Sequence, residues 1–262
     1  MRELLAHVQF RGMIRERTVE PVARLLRFLR TRRRVRGVLF DISSGGGASV
    51  ASRDLYLAVK RLDAVKPVVA SIGGLGASGG YLAALGARRV FAYPESGVGS
   101  IGVVYPHLAV RSLLTRIGVD VELVHQGRHK DAYQGYRALT DEERAKLQAV
   151  TDVDYRLFVE TVASERHRSV EQILPLATGE FWSGKQALEL GLVDALGDPE
   201  AALEELAKLT GVPARRSVLV RPPRPFLERM IGGFAPSMTG AVVERLREAA
   251  EEAVLESWFG RT

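Results

Sequence analysis

Cysteine is absent from all 262 residues. That excludes a disulfide framework, a thiol nucleophile and a thiolate metal site. Aromatic residues are sparse at 7%, and a single one, Phe28, falls within the arginine cluster Arg24, Arg27, Arg30, Arg32, Arg33, Arg34 and Arg36. No nucleic-acid motif accompanies that cluster, so a solvated helix face is expected there and no nucleic-acid partner. Histidines number five, His7, His107, His125, His129 and His167. His125 and His129 are four apart but fall at a strand end, and no third ligand is evident, so no metal is expected. A phosphate-binding P-loop is missing. A dinucleotide fingerprint is also missing, because Gly97-Val98-Gly99 lacks the rest of that pattern. No cofactor is expected. One uncharged run, between Lys66 and Arg88, is long enough to span a membrane. Its six glycines and its strand–turn–helix grammar argue against spanning.

What is present supports a globular chain. Apolar residues make up 46% and charged residues 26%, with a net charge of +6. Length suits one large domain or two small ones. Met1 leads almost directly into a strand-like Ala6–Phe10, so no signal peptide is expected. The expected location is cytoplasmic, or peripheral to a membrane.

Strands and helices alternate along the chain. Strands are expected at 6–14, 35–42, 67–72, 89–93, 100–104 and 119–124. Helices are expected at 18–33, 50–64, 81–85, 107–117, 140–166, 169–176, 183–191 and 199–210, several with apolar residues at helical spacing. Such alternation predicts an α/β fold, a parallel sheet with surrounding helices. From Pro213 the character changes. A stiff linker, RPPRPF at 221–226, precedes an amphipathic helix at 241–258. Two parts follow from this: a domain over 1–212, and a Pro-rich linker with a helical C-terminal extension over 213–262.

The chemistry centres on Gly76-Ala77-Ser78-Gly79-Gly80. Ser78 falls at a strand-to-helix turn, where its hydroxyl is exposed and the next residue offers an N–H at a helix start. The pattern satisfies the nucleophile elbow G-x-S-x-G, a weak signal by itself. Glycines serving helix packing alone are the competing reading. A second loop, Ser43-Ser44-Gly45-Gly46-Gly47, falls at the end of the neighbouring strand. Sites form at such carboxyl ends in open parallel sheets. Ser78 needs a base. His167 is a poor candidate, lying after a long charged helix with no loop signature. A lysine serves if it is uncharged, which requires a pKa lowered by roughly 3 units from its usual value. Lys130 follows a strand end and Gly127; the competing reading is an ordinary surface lysine.

Several blocks in register then bear on the choice. Gly76–Tyr81, Gly99-Ser100-Ile101-Gly102-Val103 and Gly127-Arg128-His129-Lys130-Asp131 resemble the signal peptide peptidase A family of serine peptidases. So do Ala177-Thr178-Gly179, Trp182–Ala187 and Gly191-Leu192-Val193-Asp194. The resemblance spans roughly residues 6–210. It implies a ClpP/crotonase-like fold and a Ser/Lys dyad, with Ser78 as nucleophile and Lys130 as general base. It also implies an oxyanion hole from the N–H groups of Gly47 and Gly79, with Gly46 in the same loop and Ser100 orienting the lysine. Gly45 stands where the family has proline, and Ser43 where it usually has asparagine. In short members the dyad is assembled across neighbouring subunits of a dome-shaped octamer, so a homo-oligomer is implied. The implied substrates are extended apolar peptides such as remnant signal peptides, with peripheral membrane contact. Two alternatives share the fold: a crotonase-like acyl-CoA hydratase or isomerase, which would need a glutamate at the site, and a non-catalytic peptide-binding scaffold.

Overall fold

The computed structural model describes residues 2–222. The helix expected at 241–258 lies outside the described residues, as does the expected linker beyond residue 222. Contacts divide the chain into two compact units. The first comprises the described residues up to Ser100 and from Phe181 on, and the second is Ile101–Glu180.

The first unit is built on one sheet. Its leading elements are β1 (Leu4–Arg11), α1 (Glu16–Thr31), β2 (Val35–Ser44), α2 (Ser49–Asp63) and β3 (Val68–Ala77). They continue with α3 (Gly79–Ala84), β4 (Arg89–Ala92) and β5 (Gly97–Gly99). After the second unit come β6 (Phe181–Ser183), α7 (Gly184–Glu189), β7 (Ala195–Leu196), α8 (Pro199–Thr210) and β8 (Ser217–Val220). Strand order is β6-β5-β3-β2-β1-β8, with β4 bonded to both β3 and β7. Every pairing is parallel except β5 with β6. This is the mostly parallel α/β sheet that the alternation predicts.

The strands read as continuous apolar runs because both faces are covered. Leu5, Leu39, Val69 and Phe91 form a buried cluster with Ala202, Leu206 and Val212, so α8 lies on that face. Val8, Phe40, Ala70 and Ile72 alternate with them and are equally buried. In α1 the buried residues Val19, Val22, Ala23, Leu25, Leu26 and Leu29 recur at helical spacing. In α2 they are Leu55, Tyr56, Val59 and Leu62, with Ala51 and Ser52 near its start.

β3 changes partner along its length. Val69–Ile72 pairs with β4, whereas Leu75–Ala77 pairs with β5. Gly73 and Gly74 fall between the two pairings. The buried Ser96 hydroxyl ties this point down by donating to the carbonyls of Ile72 and Gly73.

The second unit contains α4 (Arg111–Arg116), α5 (Asp141–Glu165) and α6 (Val170–Ile173). Thr140 caps α5 reciprocally with Glu143: Thr140 Oγ1 accepts from the Glu143 N–H at 3.3 Å, and the Thr140 N–H donates to Glu143 Oε2 at 2.9 Å. Phe158, Val159, Val162 and Ala163 of α5 are buried.

Three segments differ from the pattern. The strand expected at 100–104 is instead β5, ending at Gly99, because Ser100 turns the chain with φ of +49°. Residues 119–124 form no strand; all are exposed, and β-branched residues form strands only when a neighbouring strand pairs with them. Ser217–Val220, past the boundary expected at 212, pairs with β1 as a parallel edge strand. Among the described residues no helix is long and apolar enough to cross a membrane.

Candidate active site

Ser78 sits where β3 ends and α3 begins, with φ of +51° and ψ of −124°. Non-glycine residues avoid such values, and holding one there costs on the order of 1–3 kcal/mol. Two backbone bonds impose it. The Ser78 N–H donates to the Gly99 carbonyl at 2.7 Å, and the Ser78 carbonyl accepts from the Leu82 N–H at 3.0 Å. The first is made across the β3–β5 pairing and the second opens α3. Ser78 is half-buried, followed by the buried Gly79 and Gly80.

The loop after β2 lies directly against this turn. A Cβ on Gly46 would come within 2.8 Å of the Gly79 nitrogen and 2.9 Å of Ser78 Cβ. A Cβ on Gly79 would fall 2.0 Å from Ser52 Oγ and 2.7 Å from Ser52 Cβ. Glycine at both positions is therefore a packing demand made by the turn that carries Ser78.

Ile14 fixes the loop from its other side. Its N–H donates to the Gly46 carbonyl at 2.9 Å, and its carbonyl accepts from the Ala48 N–H at 3.0 Å. Those bonds form a parallel bridge between Ile14 and Gly47. In such a bridge the flanking groups face the partner, so the N–H of Gly47 itself faces the opposite side. Within the loop, Ser44 Oγ accepts from the Gly46 N–H at 3.0 Å.

A buried carboxylate braces the strand ends behind the loop. Asp41 on β2 receives Arg11 Nη2 at 2.5 Å, Gln9 Nε2 at 3.2 Å and His7 Nε2 at 3.3 Å, all from β1. Arg11 Nη1 also donates to the Asp41 carbonyl at 2.7 Å. Burial alone would raise the Asp41 pKa, but the donors from His7, Arg11 and Gln9 outweigh it and hold the group below its usual range.

Lys130 belongs to the second unit, in the irregular stretch before α5, and is exposed. Its N–H donates to the carbonyl of Gly127, a residue with φ of +94°. Its ionisable neighbours each lie close to another ionisable side chain. Arg128 meets Glu142 at 2.6 Å, and His129 lies 3.4 Å from Glu142 and 3.6 Å from Glu143. Asp131 Oδ2 accepts from Arg137 Nε at 2.9 Å. Arg137 also places its two terminal nitrogens on the two oxygens of Glu143, each at 2.8 Å. This guanidinium holds the carboxyls of both Asp131 and Glu143 below their usual range.

Of the residues singled out in the sequence, Gly46, Gly79 and Ser78 are in immediate contact. Gly47 lies in the same loop, and Ser100 directly follows the residue whose carbonyl holds the Ser78 N–H. Lys130 and Ser78 fall in different units. Sequence reasoning missed Ser52 and Ile14, which shape the turn and the loop. No local signal marks either one, since both act through tertiary contacts. Among the described residues, no three His, Asp or Glu side chains group as metal ligands.

The profile of peptidase family S49 matches residues 60–213. A Synechocystis sp. protein named as a protease is 35% identical over 242 residues, which is 92% of this chain and 87% of that protein. The chloroplastic serine protease SPPA of Arabidopsis thaliana is 30% identical over 87% of this chain and 34% of its own length. Protease 4 of Salmonella typhi is 33% identical over 83% of this chain and 35% of its own. The chain thus spans most of the first relative and about a third of the other two. Among solved structures, a serine-to-alanine mutant of the 1510-N membrane-bound stomatin-specific protease superposes with a TM-score of 0.52 at 14% identity. That match covers 86% of this chain and 95% of the mutant, and it shows a shared fold.

Proposed function

The chain belongs to peptidase family S49, the SppA-type serine peptidases, and from that premise we propose that it cleaves peptide bonds with Ser78 as nucleophile and Lys130 as general base. In this mechanism Lys130, in its uncharged form, takes the proton from Ser78 Oγ as the oxygen attacks the scissile carbonyl. The oxyanion that forms is held by the N–H groups of Gly47 and Gly79. Protonated Lys130 then donates to the leaving amine. A water, activated by the same lysine, releases the acyl group from Ser78. Ser100 orients the lysine.

One observation carries the reading: the strained, doubly bonded seat of Ser78 with the glycine loop pressed against it. A serine kept merely for packing needs no such backbone. The N–H of Gly47 faces away from Ile14, which leaves it available to a substrate oxygen.

The substrates proposed are extended, apolar peptides such as remnant signal peptides, bound by strand addition. The proposed working form is a homo-oligomer whose dyad is shared between subunits. In support, the second unit exposes Val104, Leu108, Leu113, Ile117 and Val124, more apolar surface than one exposed side chain would need to explain.

The test uses the full chain, a fluorescently labelled casein and a fluorophosphonate probe. Ser78→Ala and Lys130→Ala should each abolish cleavage while leaving assembly unchanged, and the probe should label Ser78 in the unsubstituted protein. Undiminished cleavage by either variant would remove the dyad.

A further inference from the structure

Lys130 has to be held still although its own stretch of chain has no helix or strand to hold it. Between α4 and α5 the backbone runs through turns, and most side chains there are exposed. Two anchors stand out in this stretch. Ala132 is fully buried, and the guanidinium of Arg137 spans from Asp131, the residue after Lys130, to Glu143 in the first turn of α5.

We propose that Arg137 is a positioning residue for Lys130, tying the loop that carries the lysine to the capped start of α5 and keeping the carboxylates of Asp131 and Glu143 occupied. This rests on the reading of Lys130 as the general base.

Geometry sets Arg137 apart from its neighbours. The Arg128–Glu142 pair is exposed, and such pairs contribute little. Glu143 is 3% exposed and Asp131 13% exposed. The contacts of Arg137 are therefore largely shielded, and its two-pronged bond to Glu143 fixes direction as well as distance. Glu143 is in turn fixed by its bond to the Thr140 N–H, so the anchor ends in the frame of a long helix. The Arg137 carbonyl accepts from His107 Nε2 at 2.9 Å, which ties the residue's main chain to the segment before α4.

Charge gives a second reason for arginine here. A lysine acts as base only when it has lost its proton, and a nearby carboxylate opposes that loss. The acids of this ion-pair network are Asp131, Glu142 and Glu143; its cations are Arg128, Arg137 and Lys146, the last 3.7 Å from Glu142, with the imidazole of His129 3.4 Å from Glu142 and that of His125 4.0 Å from Asp131. Arg137 is the cation bonded to both Asp131 and Glu143. Unlike histidine or lysine, it stays charged throughout the pH range in which a lysine base turns on. Among the described residues no hydrogen bond or ion pair engages the Lys130 amine itself.

Full-length Arg137→Gln, Arg137→Lys, Asp131→Asn and Lys130→Ala variants test the proposal. Labelled casein cleavage is followed from pH 6 to 10, with thermal unfolding by circular dichroism as the control. Arg137→Gln should lower kcat by about 10- to 100-fold, the scale of a small misplacement of a catalytic group, with KM changed less than about twofold. Its activity should also rise at higher pH than in the unsubstituted protein. Arg137→Lys, which cannot make the two-pronged bond, should fall between. Asp131→Asn cuts only the link nearest Lys130 and should still lower kcat in a folded protein. Wild-type kcat and pH profile in both Arg137→Gln and Asp131→Asn, with Lys130→Ala inactive, would overturn the proposal and leave the dyad standing. The proposal is equally overturned if Arg137→Gln merely unfolds while folded Asp131→Asn keeps full kcat. Full activity in Lys130→Ala would instead sink the underlying reading.

Discussion

Ser52 and Gly79 illustrate how tightly the turn at Ser78 is specified. A methyl group at 79 would stand 2.0 Å from Ser52 Oγ, so the first turn of α3 must move and carry its leading N–H with it. Gly79→Ala should therefore cost about 10²- to 10³-fold in kcat, the scale of losing one oxyanion donor. Adding Ser52→Gly should restore part of the loss, and steady-state kinetics of the single and double variants checks both. Lys66 offers a separate prediction. It donates to the carbonyls of Leu29 and Arg32 at 2.7 and 2.5 Å, closing the end of α1. Those carbonyls favour its charge, but burial, with help from Arg36, outweighs them and lowers its pKa from 10.5 to about 8. Between those values the unfolded chain holds more protons than the folded one, so this residue's contribution makes the fold more stable as pH rises. Thermal unfolding of Lys66→Met across that window should lack that part of the slope. At this scale legibility was uneven. Ser78 stood out in its glycine cluster. Lys130 could be separated from other loop lysines only by the family blocks around it, and Ser52 by nothing, because its partner is 27 positions away in the chain.

Among the elements, β2, β3, α2 and α5 were plain in the sequence, since their apolar spacing or capping signals are local. β8 was not. Its four residues, Ser217–Val220, follow a proline and precede a proline-rich run, so composition read as linker while pairing with β1 made them strand. The converse holds at 119–124, where strand-forming residues form no strand and stay exposed. α8 shows how much the region after the second unit contributes to the first. Leu206 is fully buried against β2 and β3, and a Cβ on Gly37 would come within 2.8 Å of its Cδ1. Leu206→Ala should destabilise the fold by about 3 kcal/mol through lost burial and the cavity left behind. Chemical denaturation would measure it, with cleavage per folded molecule unchanged.

For the whole molecule the decisive question is which chain supplies which half of the dyad. If Ser78 and Lys130 come from neighbouring subunits, mixing inactive Ser78→Ala and Lys130→Ala chains should regenerate competent sites. With equal amounts and random assembly, about a quarter of full activity should return, since half the chains carry each residue. A dyad within one chain would return none. Sedimentation of the mixture reports assembly independently of cleavage. The family and the parallel α/β architecture could be read in advance because several sequence blocks and a regular alternation agree. The division at Ser100 and Phe181 could not, because it follows from contacts between distant segments. One further property follows from the way β3 exchanges β4 for β5 at Gly73-Gly74. The stretch before the exchange is paired with β2 over Val68–Ile72 and with β4 over Val69–Ile72, whereas the stretch that presents Ser78 leans on a three-residue strand and a single register point at Ser44. Warming should loosen that distal stretch first, while the interior still stands. Catalysis is then what heat removes earliest, and the folded body outlasts it.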